Sequence, residues 1–434
     1  MNKPRAPILR DAFDASDAGA PREMLTREAI LGRYKRHVNR GFAGLASVLG
    51  LPVGVRSSGC FVFDEHDEAY LDCGGYGVFL HGHGHPLVVE AVKAQVDRHP
   101  LATHGFLNAE LAAAAERLAG VTPPGLDYIT FTNSGAEAVE LGIKLGRVNG
   151  KPNLITMTGG FHGKTMGALS INGRSFYKEP FTPLLPDVEV VAFGDALALE
   201  AALARAVNRA CVIVEPVQGE GGVIIPPAGY LKKVQDLCQR YEALFILDEI
   251  QTGLGRLGSW WGADREGVVP DVLLAGKGLS GGVVPVGAVA ATADAFEPLN
   301  RDPFLHSSTF GGNPLAMAAA HAAIDAIEHE GLVDRAAILG DTILRELRTI
   351  LRSTCPDLIR EIRGVGLLLG VEFISEPLAG DFVLRLLQEK VVVSHSLNAH
   401  RVVRLTPPAI LGEAECEKLF EAIESAAIGL REAW

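Results

Sequence analysis

The chain has 434 residues, of which 48% are hydrophobic and 21% are charged, so it can bury a large core. Its 40 Lys and Arg residues against 52 Asp and Glu residues give a net charge of −12, which is poorly suited to binding nucleic acid or a membrane surface. No uncharged apolar run could span a bilayer, no apolar signal core opens the chain, and the six cysteines form no CxxC pair. We therefore expect a soluble, reduced, cytoplasmic protein.

Residues 1–50 are predicted to form an N-terminal arm with a helix, for which Thr26 is a suitable N-cap. The segment FVFDEHDEAYLD then predicts a hairpin, because two short β-prone runs flank a polar turn. We assign residues 51–85 to the N-terminal part of a smaller domain.

Residues 86–330 alternate between short apolar runs and Ala-rich amphipathic stretches. The predicted strands are YITFT, NLITM, VEVVAF, CVIVEPV, LFILDEI and DVLLAG. This alternation predicts a large α/β domain with a mostly parallel sheet covered on both faces. Residues 331–434, with GLLLGVEF, VVVSH and RVVRLTPP between two helices, predict a smaller α+β domain that shares its core with residues 51–85.

Three polar residues follow predicted strands of the large domain: Glu215, Asp248 and Lys277. In open α/β sheets, ligands bind outside the carboxyl ends of the strands. A lysine at such a position, with Gly276 and Gly278 leaving room beside it, is suited to forming a Schiff base. Asp248 could pair with a protonated pyridine nitrogen, and Gln251 could reach a phenolic oxygen on the same ring.

The segment Asn133–Ala136 joins a predicted strand to a predicted helix, and a helix N-terminus with a hydroxyl and a glycine is suited to a phosphate. Phe161, followed by His162, could stack on a planar cofactor. A phosphate site, a stacking ring, a carboxylate and an aldehyde-binding lysine together indicate pyridoxal 5′-phosphate (PLP).

Several long motifs resemble those of class III PLP-dependent aminotransferases: NSGAEAVELGIKLGR, FHGKTMGALS, EPVQGEGGVIIPPAGYL, LDEIQTGLGRLG, PDVLLAGKGLSGGVVPVGA and HSSTFGGNPLA. The resemblance runs from about Tyr70 to Pro407 and implies fold type I, with a mostly parallel seven-stranded sheet and a homodimer. Within the class the chain looks most like the putrescine (diamine) branch, on the basis of SFYKEPFTPLLPDV, FLHSSTFGGNP and SHSLNAHRVVRLTPP.

The resemblance implies a role for each residue that matches a family motif. Lys277 would form the Schiff base and Asp248 would hold the pyridine nitrogen, as the two catalytic residues. The other implied cofactor contacts are Ser134, Gly135 and Ala136 at the phosphate, Phe161 and His162 at the ring, Gln251 at the phenolic oxygen, Glu215 in support, and Ser308 and Thr309 at the phosphate of the neighbouring subunit.

The residues implied to bind substrate are Tyr76, Lys164, Glu220 and Arg404. Arg404 resembles the family's carboxylate-binding arginine, and Glu220 resembles the glutamate that can pair with it. Ornithine-type members carry arginine in the FHGRT motif, where this chain has Lys164. Because lysine lacks the planar fork that grips a carboxylate, this departure favours a diamine or another ω-amine donor.

The function predicted is ping-pong transfer of an amino group from a putrescine-like donor to a 2-oxo acid such as 2-oxoglutarate or pyruvate. The alternatives are an ornithine or acetylornithine aminotransferase, or a natural-product enzyme that aminates an aldehyde or ketone. An aminomutase or racemase on the same fold, and a protein that binds PLP without catalysis, are further alternatives.

Two other motifs have simpler explanations. The glycines of Gly253–Gly258 match GxGxxG, but no helix is predicted to follow them, which argues against dinucleotide binding. His81, His83 and His85 alternate with glycines, and no carboxylate or cysteine completes a metal-ligand set there. We therefore expect a turn at the three histidines, no bound metal, and no role for the cysteines.

Overall fold

The computed structural model describes residues 26–103 and 105–434, and it divides into two compact units, Met1–Gly54 and Val55–Trp434. The described part of the first unit holds helix α1 (Arg27–Arg33), a π-helical turn (Tyr34–Val38) and helix α2 (Arg40–Val48). The Thr26 side chain accepts a hydrogen bond from the Ala29 N–H (3.3 Å), which confirms the predicted N-cap. The first 25 residues of the predicted N-terminal arm lie outside the described residues.

The helices of the second unit vary from single turns to the 23 residues of α12. They are α3 (Pro86–Arg98), α4 (Ala109–Ala119), α5 (Gly135–Val148), α6 (Met166–Ser170), α7 (Ser175–Lys178), α8 (Ala196–Arg205), α9 (Tyr230–Arg240), α10 (Ala293–Arg301), α11 (Pro314–His329), α12 (Leu332–Thr354), α13 (Glu376–Gln388) and α14 (Glu413–Ala433). No helix in the described ranges is both long enough and apolar enough to cross a membrane.

The strands, in chain order, belong to three sheets. They are β1 (Gly54–Ser58), β2 (Phe61–Asp64), β3 (Ala69–Asp72), β4 (Tyr128–Thr132), β5 (Asn153–Met157), β6 (Val188–Val191), β7 (Ala210–Val214), β8 (Leu244–Asp248), β9 (Val272–Ala275), β10 (Gly287–Ala291), β11 (Ile359–Val365), β12 (Leu368–Phe373), β13 (Val391–Val392), β14 (Ser394–Ser396) and β15 (Ala399–Leu405).

The large sheet has seven strands in the described part of the chain, in the order β4-β10-β9-β8-β7-β5-β6. Every predicted strand of the large domain is present, and β5 to β9 pair in parallel. Strand β10, which the apolar runs did not single out, lies between β9 and β4 and is antiparallel to both. The prediction of a mostly parallel seven-stranded sheet is confirmed, with β10 as its single reversed strand among the described residues.

Helix α5 begins directly after β4 and packs closely on the large sheet. A Cβ atom at Gly142 would lie 3.3 Å from the Ile246 side chain, and one at Gly146 would lie 2.9 Å from Cys211 Sγ. These two glycines, one helical turn apart, therefore let the helix backbone approach β7, β8 and β9. Close packing fixes the N-terminus of α5 at the carboxyl edge of the sheet.

Two smaller sheets accompany the large one, and in one of them the predicted hairpin is present. Strands β2 and β3 pair antiparallel, and β13, from the far end of the chain, pairs in parallel with β3. The third sheet has the order β11-β12-β15-β14 and carries the C-terminal motifs. The exchange of strands between the two ends of the chain agrees with a shared small domain, although the proposed division at residues 50, 85 and 330 stays a prediction.

Candidate active site

A cavity of about 220 Å³ opens at the carboxyl edge of the large sheet. Eight of its ten lining residues, all in the described part of the chain, are ones that the sequence predicted. They are Gly135, Ala136, Phe161, His162, Glu215, Asp248, Gln251 and Lys277. The segments that follow β4, β5, β7, β8 and β9 thus converge, as expected for parallel strands.

Lys277 begins a short 3₁₀ turn (Lys277–Ser280) directly after β9. Its backbone is left-handed, with φ of +46°. Burial lowers the pKa of the Lys277 ammonium, and Arg404 lowers it further, against the opposing charges of Glu220, Asp248 and Glu215. A lower pKa raises the fraction of neutral amine, the form that attacks an aldehyde.

Gly276, directly before Lys277, lies close to other segments of the protein. A Cβ atom at Gly276 would lie 3.3 Å from Ile250 and 3.6 Å from the Cα atom of Gly135. The glycine therefore makes room for protein packing between the ends of β9, β8 and β4.

Asp248 ends β8, whose five residues are all buried. Its Oδ2 atom lies 2.7 Å from Nδ1 of His162, and its Oδ1 atom accepts the N–H of Ile250 (3.1 Å). Burial acts to lower the pKa of His162, but the hydrogen bond and charge of Asp248, with the charge of Glu215, outweigh it and raise the pKa. The hydrogen bond from His162 therefore fixes the direction of the buried Asp248 carboxylate.

Glu215 follows β7 and holds two loops. Its carboxylate accepts the N–H of Phe161 (3.0 Å) and the N–H of Gly219 (3.3 Å). Burial raises the pKa of Glu215 to about 7, with a further increase from Asp248 and an opposing effect of His162. Glu215 therefore links the ring-stacking candidate to the loop that carries Glu220.

The N-terminus of α5 supplies Gly135 and Ala136 to the cavity. The first N–H groups of a helix have no partner within the helix, so they are available to an anion. Ser134, predicted to contact phosphate, is the N-cap: its Oγ atom accepts the N–H of Glu137 (3.2 Å), and it does not line the cavity.

Gln251 and Tyr76 lie next to each other at the Lys277 side of the cavity. The Gln251 side chain donates to the carbonyl oxygen of Tyr76 (3.4 Å). A Cβ atom at position 219 would lie 1.8 Å from Gln251 Oε1, so Gly219 is needed for Gln251 to reach this place. The Tyr76 side chain is half exposed, and its ring centroid lies 5.8 Å from the Arg404 guanidinium.

Glu220 and Arg404 form a buried ion pair beside the cavity. Glu220 Oε1 lies 2.5 Å from Arg404 Nη1, and the two side chains are 4% and 0% exposed. Arg404 also donates to Ser394 Oγ (3.4 Å), while its Nε and Nη1 atoms make no hydrogen bond among the described residues, Nη1 being paired with Glu220 by charge. A buried guanidinium with a spare donor can bind a second acceptor.

Lys164 does not line the cavity. Its side chain is exposed, and its ammonium lies 4.6 Å from the centre of the Tyr177 ring. The substrate contact predicted for Lys164 stays a prediction, as does its influence on the donor.

Ser308 and Thr309 line a different cavity, of about 580 Å³, together with Phe131 and Phe304. Ser308 Oγ accepts a hydrogen bond from the Asn133 side chain (3.0 Å). The two residues thus lie apart from the Lys277 cavity of the same chain.

The structure also shows the surroundings of the three alternating histidines and of the glycine-rich segment 253–258. The three histidines have separate partners, since His81 contacts the Ala323 carbonyl, His83 contacts Asp72 and His85 contacts Glu330. Residues 253–258 form turns and do not open a helix. The buried Arg256 of this segment donates to the carbonyl oxygens of Pro407 (2.6 Å), Leu367 (3.3 Å) and Gly77 (3.4 Å).

Sequence reasoning missed two residues that line the cavity, Ile250 and Gly163. Ile250 packs against Gly135 and Gly276, and a Cβ atom at Gly163 would lie 2.8 Å from Ala136. Both stand inside quoted motifs, next to residues that were predicted, but an apolar side chain and a glycine carry no chemistry that would single them out.

The cavity combines a buried lysine, a buried carboxylate, an aromatic ring and a helix N-terminus. These groups suit a phosphorylated aromatic aldehyde, because each matches one part of it. The residues present therefore fit PLP and place the protein among the enzymes that use it.

Comparison with known proteins identifies the family. The model of the family Aminotransferase class-III matches residues 49–427, so the chain belongs to that family. The ornithine aminotransferase of Toxoplasma gondii ME49 is 34% identical, with a TM-score of 0.88 over 95% of this chain and 97% of that chain. The acetylornithine aminotransferase of Elizabethkingia anophelis is 32% identical, with a TM-score of 0.76 over 90% and 99%.

A thermostable (S)-enantioselective omega-transaminase from Thermomicrobium roseum is 28% identical, with a TM-score of 0.86 over 94% of this chain and 100% of that chain. The protein is thus a fold type I, PLP-dependent aminotransferase, whose substrates are an amine and an oxo acid.

Proposed function

We propose that the enzyme moves an amino group from a diamine or another ω-amine, such as putrescine, to a 2-oxo acid such as 2-oxoglutarate or pyruvate. The observation that carries this proposal is the buried Glu220–Arg404 pair beside the Lys277 cavity. The two half-reactions of a ping-pong mechanism use one pocket, which must accept a cationic amine and then an anionic oxo acid.

The paired side chains suit the amine donor. With its charge cancelled by Glu220, Arg404 does not repel a second ammonium group on the donor, and Glu220 adds an acceptor for it. When Glu220 leaves, Arg404 can bind a carboxylate through two parallel hydrogen bonds. A pair that opens and closes therefore serves both substrates.

When bound, PLP supplies an aldehyde that takes the amine and a ring that withdraws electrons from the carbon that loses its proton. Lys277 would hold the cofactor and, once released, would move that proton, since its lowered pKa favours the neutral base. Asp248, held in place by His162, would pair with the ring nitrogen. Phe161 would stack on the ring, and Gln251 would donate to its phenolic oxygen.

The place of Lys164 supports a donor without an α-carboxylate at that end. Its ammonium lies over the Tyr177 ring and outside the cavity. An arginine fork, the best side chain for gripping a carboxylate, is absent from this position.

We propose further that the working enzyme is a homodimer in which Ser308 and Thr309 complete the phosphate site of the partner subunit. In support of this, both residues line a cavity separate from the Lys277 cavity of their own chain. That cavity also exposes Phe304, whose side chain is 90% exposed in the single chain.

The second candidate is an ornithine or acetylornithine aminotransferase. It is favoured by similarity, since solved structures with these names reach 34% and 32% identity. It predicts a donor with an α-carboxylate.

The test is a single-turnover absorbance measurement of the PLP-loaded enzyme with putrescine, ornithine, acetylornithine and 4-aminobutyrate, each without an oxo acid. Full conversion to the pyridoxamine form with putrescine, and slow conversion with ornithine, is the expected result. Preference for ornithine or acetylornithine would reject the diamine proposal in favour of the second candidate.

A further inference from the structure

Besides its ion pair with Arg404, the Glu220 carboxylate has a hydrogen-bonding partner in the backbone. Its Oε2 atom accepts the N–H of Leu397 (2.8 Å), and its backbone carbonyl accepts the N–H of Asn398 (2.9 Å). Leu397 and Asn398 form the turn between β14 and β15, which we call the hairpin tip (residues 397–398). The direction of the Glu220 carboxylate therefore depends on where the hairpin tip lies.

Two side chains from another part of the chain hold the hairpin tip. Arg174 Nη1 donates to the carbonyl oxygen of Leu397 (2.9 Å), and the Tyr177 hydroxyl donates to the same oxygen (3.0 Å). This carbonyl and the N–H of Asn398 belong to one peptide group. That peptide group is thus held on one side by Arg174 and Tyr177 and on the other by Glu220.

The hairpin tip is also tied to the cofactor side. The Asn398 side chain donates to the carbonyl oxygens of Gly159 (2.9 Å) and Gly160 (3.2 Å), directly before Phe161. Ser396, fully buried at the end of β14, donates to the carbonyl oxygen of Gly219 (3.0 Å). The residue before Glu220 and the residues before Phe161 are therefore hydrogen-bonded to the end of β14 and to the hairpin tip.

Lys164 contacts the same network. Its ammonium lies over the ring of Tyr177, as does the Arg174 guanidinium at 5.9 Å. A cation over an aromatic face is attracted to it, which restricts the ring and its hydroxyl. Lys164 therefore has a physical route to the ion pair through Tyr177, although it does not line the cavity.

We propose that Arg174 and Tyr177 are positioning residues: by holding the hairpin tip, they keep Glu220 paired with Arg404 and so set the balance between amine and oxo-acid recognition. This rests on the proposed function, in which the pair closes for the amine and opens for the oxo acid. Loosening the hairpin tip weakens the closed state and leaves Arg404 free more often.

The test separates the two half-reactions in Tyr177→Phe and Arg174→Gln. For Tyr177→Phe, which keeps the ring under Lys164, the apparent second-order rate constant with the amine should fall about threefold to tenfold, the value of one hydrogen bond. The apparent second-order rate constant of the pyridoxamine form with 2-oxoglutarate should be unchanged or higher than in the parent enzyme. Equal losses in both half-reactions, or a loss confined to the oxo acid, would overturn the proposal.

A binding measurement gives a second result independent of turnover. Glutarate, a dicarboxylate without an oxo group, cannot react, so calorimetry reports only how available Arg404 is. Both variants should bind glutarate about threefold or more tightly than the parent enzyme, since less of the pair must be opened. Unchanged or weaker glutarate binding contradicts the proposal.

Tyr241→Phe is the matched control, because its hydroxyl also donates one hydrogen bond, to the Glu200 side chain (3.2 Å), but at the end of α9 away from the cavity. It should leave both half-reactions unchanged. Glu220→Gln separates the two proposals. If Glu220→Gln changes the two half-reactions unequally, which we call a split, and Tyr177→Phe does not, only the positioning role is rejected. No split in Glu220→Gln rejects the switching pair and the positioning role together.

The donor question stays separate in this design. If the parent enzyme converts with ornithine and not with putrescine, the diamine proposal fails, and the same variants are compared with ornithine. Melting temperatures of all variants show whether each has folded.

Discussion

The two halves of the active site are built in different ways. The cofactor half is formed by segments that directly follow neighbouring strands of one sheet, and its lysine, carboxylate and helix N-terminus are fixed by that sheet. The substrate half joins Glu220, in a loop after β7, to Arg404 on β15 of a different sheet, through the hairpin tip.

This difference separates a rigid region from an adjustable one. Strand ends within a continuous ladder cannot move independently, which suits groups that must stay aligned with a cofactor. The Glu220–Arg404 pair is held by one turn and the side chains that fix it, so its geometry can change without breaking a strand ladder. Substitutions in the two halves should therefore give different kinetic results.

The largest effect is expected from Lys277→Ala, in the rigid half. Loss of the positioned base should lower both half-reactions by about 10²- to 10⁴-fold or more, because no other amine lines the cavity among the described residues. Borohydride treatment followed by mass measurement should find no covalently held PLP. The exposed Lys232→Ala, a helix lysine paired with Asp236, is the control and should keep full activity.

Asp248→Asn tests the same half by removing only a charge. We expect a loss of about 10²- to 10³-fold in both half-reactions, equal within error, because the ring nitrogen and His162 both lose their anionic partner. Rapid-reaction absorbance measures the two rates. A loss in one half-reaction only would show that the cofactor half does not act equally in both half-reactions. Asp236→Asn, at an exposed carboxylate, is the control.

Arg404→Lys addresses the adjustable half and should give an unequal result. The oxo-acid half-reaction should fall about tenfold to a hundredfold, since lysine cannot form two parallel hydrogen bonds, while the amine half-reaction falls much less. The comparison uses 2-oxoglutarate and putrescine under single-turnover conditions. Equal damage to both would refute the switching pair. Arg401→Lys, exposed on the same strand, is the matched control.

The smallest effect concerns Glu215, which connects the two halves. Because its pKa in the folded protein, about 7, lies above the ordinary 4.5, the unfolded chain holds fewer protons between these values, and stability falls as pH rises through this window. In the PLP-free protein, the free energy of unfolding of Glu215→Gln should therefore rise by about 2 kcal/mol relative to that of the parent as the pH goes from 5 to 8. Denaturant unfolding at several pH values measures it, and a pH-independent difference would contradict the assignment.

The sequence predicted the rigid half better than the adjustable half, for a physical reason. Polar residues at the ends of apolar strands, such as Asp248 and Lys277, stand out because burial there needs an explanation, and parallel strands must bring their carboxyl ends together. The reversed strand β10 was not foreseen, since Gly287–Ala291 is short and rich in alanine and glycine.

The adjustable half depends on contacts between distant segments, which local patterns do not encode. Lys164 was singled out because it stands where ornithine-type members carry arginine, but nothing in the sequence shows that its ammonium lies over Tyr177. Arg174 and Tyr177 were not singled out as site residues, because their importance comes from the Leu397 carbonyl that they share.

Strand β10 also sets the distance between two strands of the large sheet that lead into the site. It separates β4, whose end leads into α5, from β9, whose end leads towards Lys277, so these two strands lie two strand spacings apart, about 10 Å. A spacing set by backbone hydrogen bonds cannot be adjusted by changing side chains. Variation in the substrate half can thus change which amine enters while the strands that carry the phosphate-binding helix and the lysine keep their spacing.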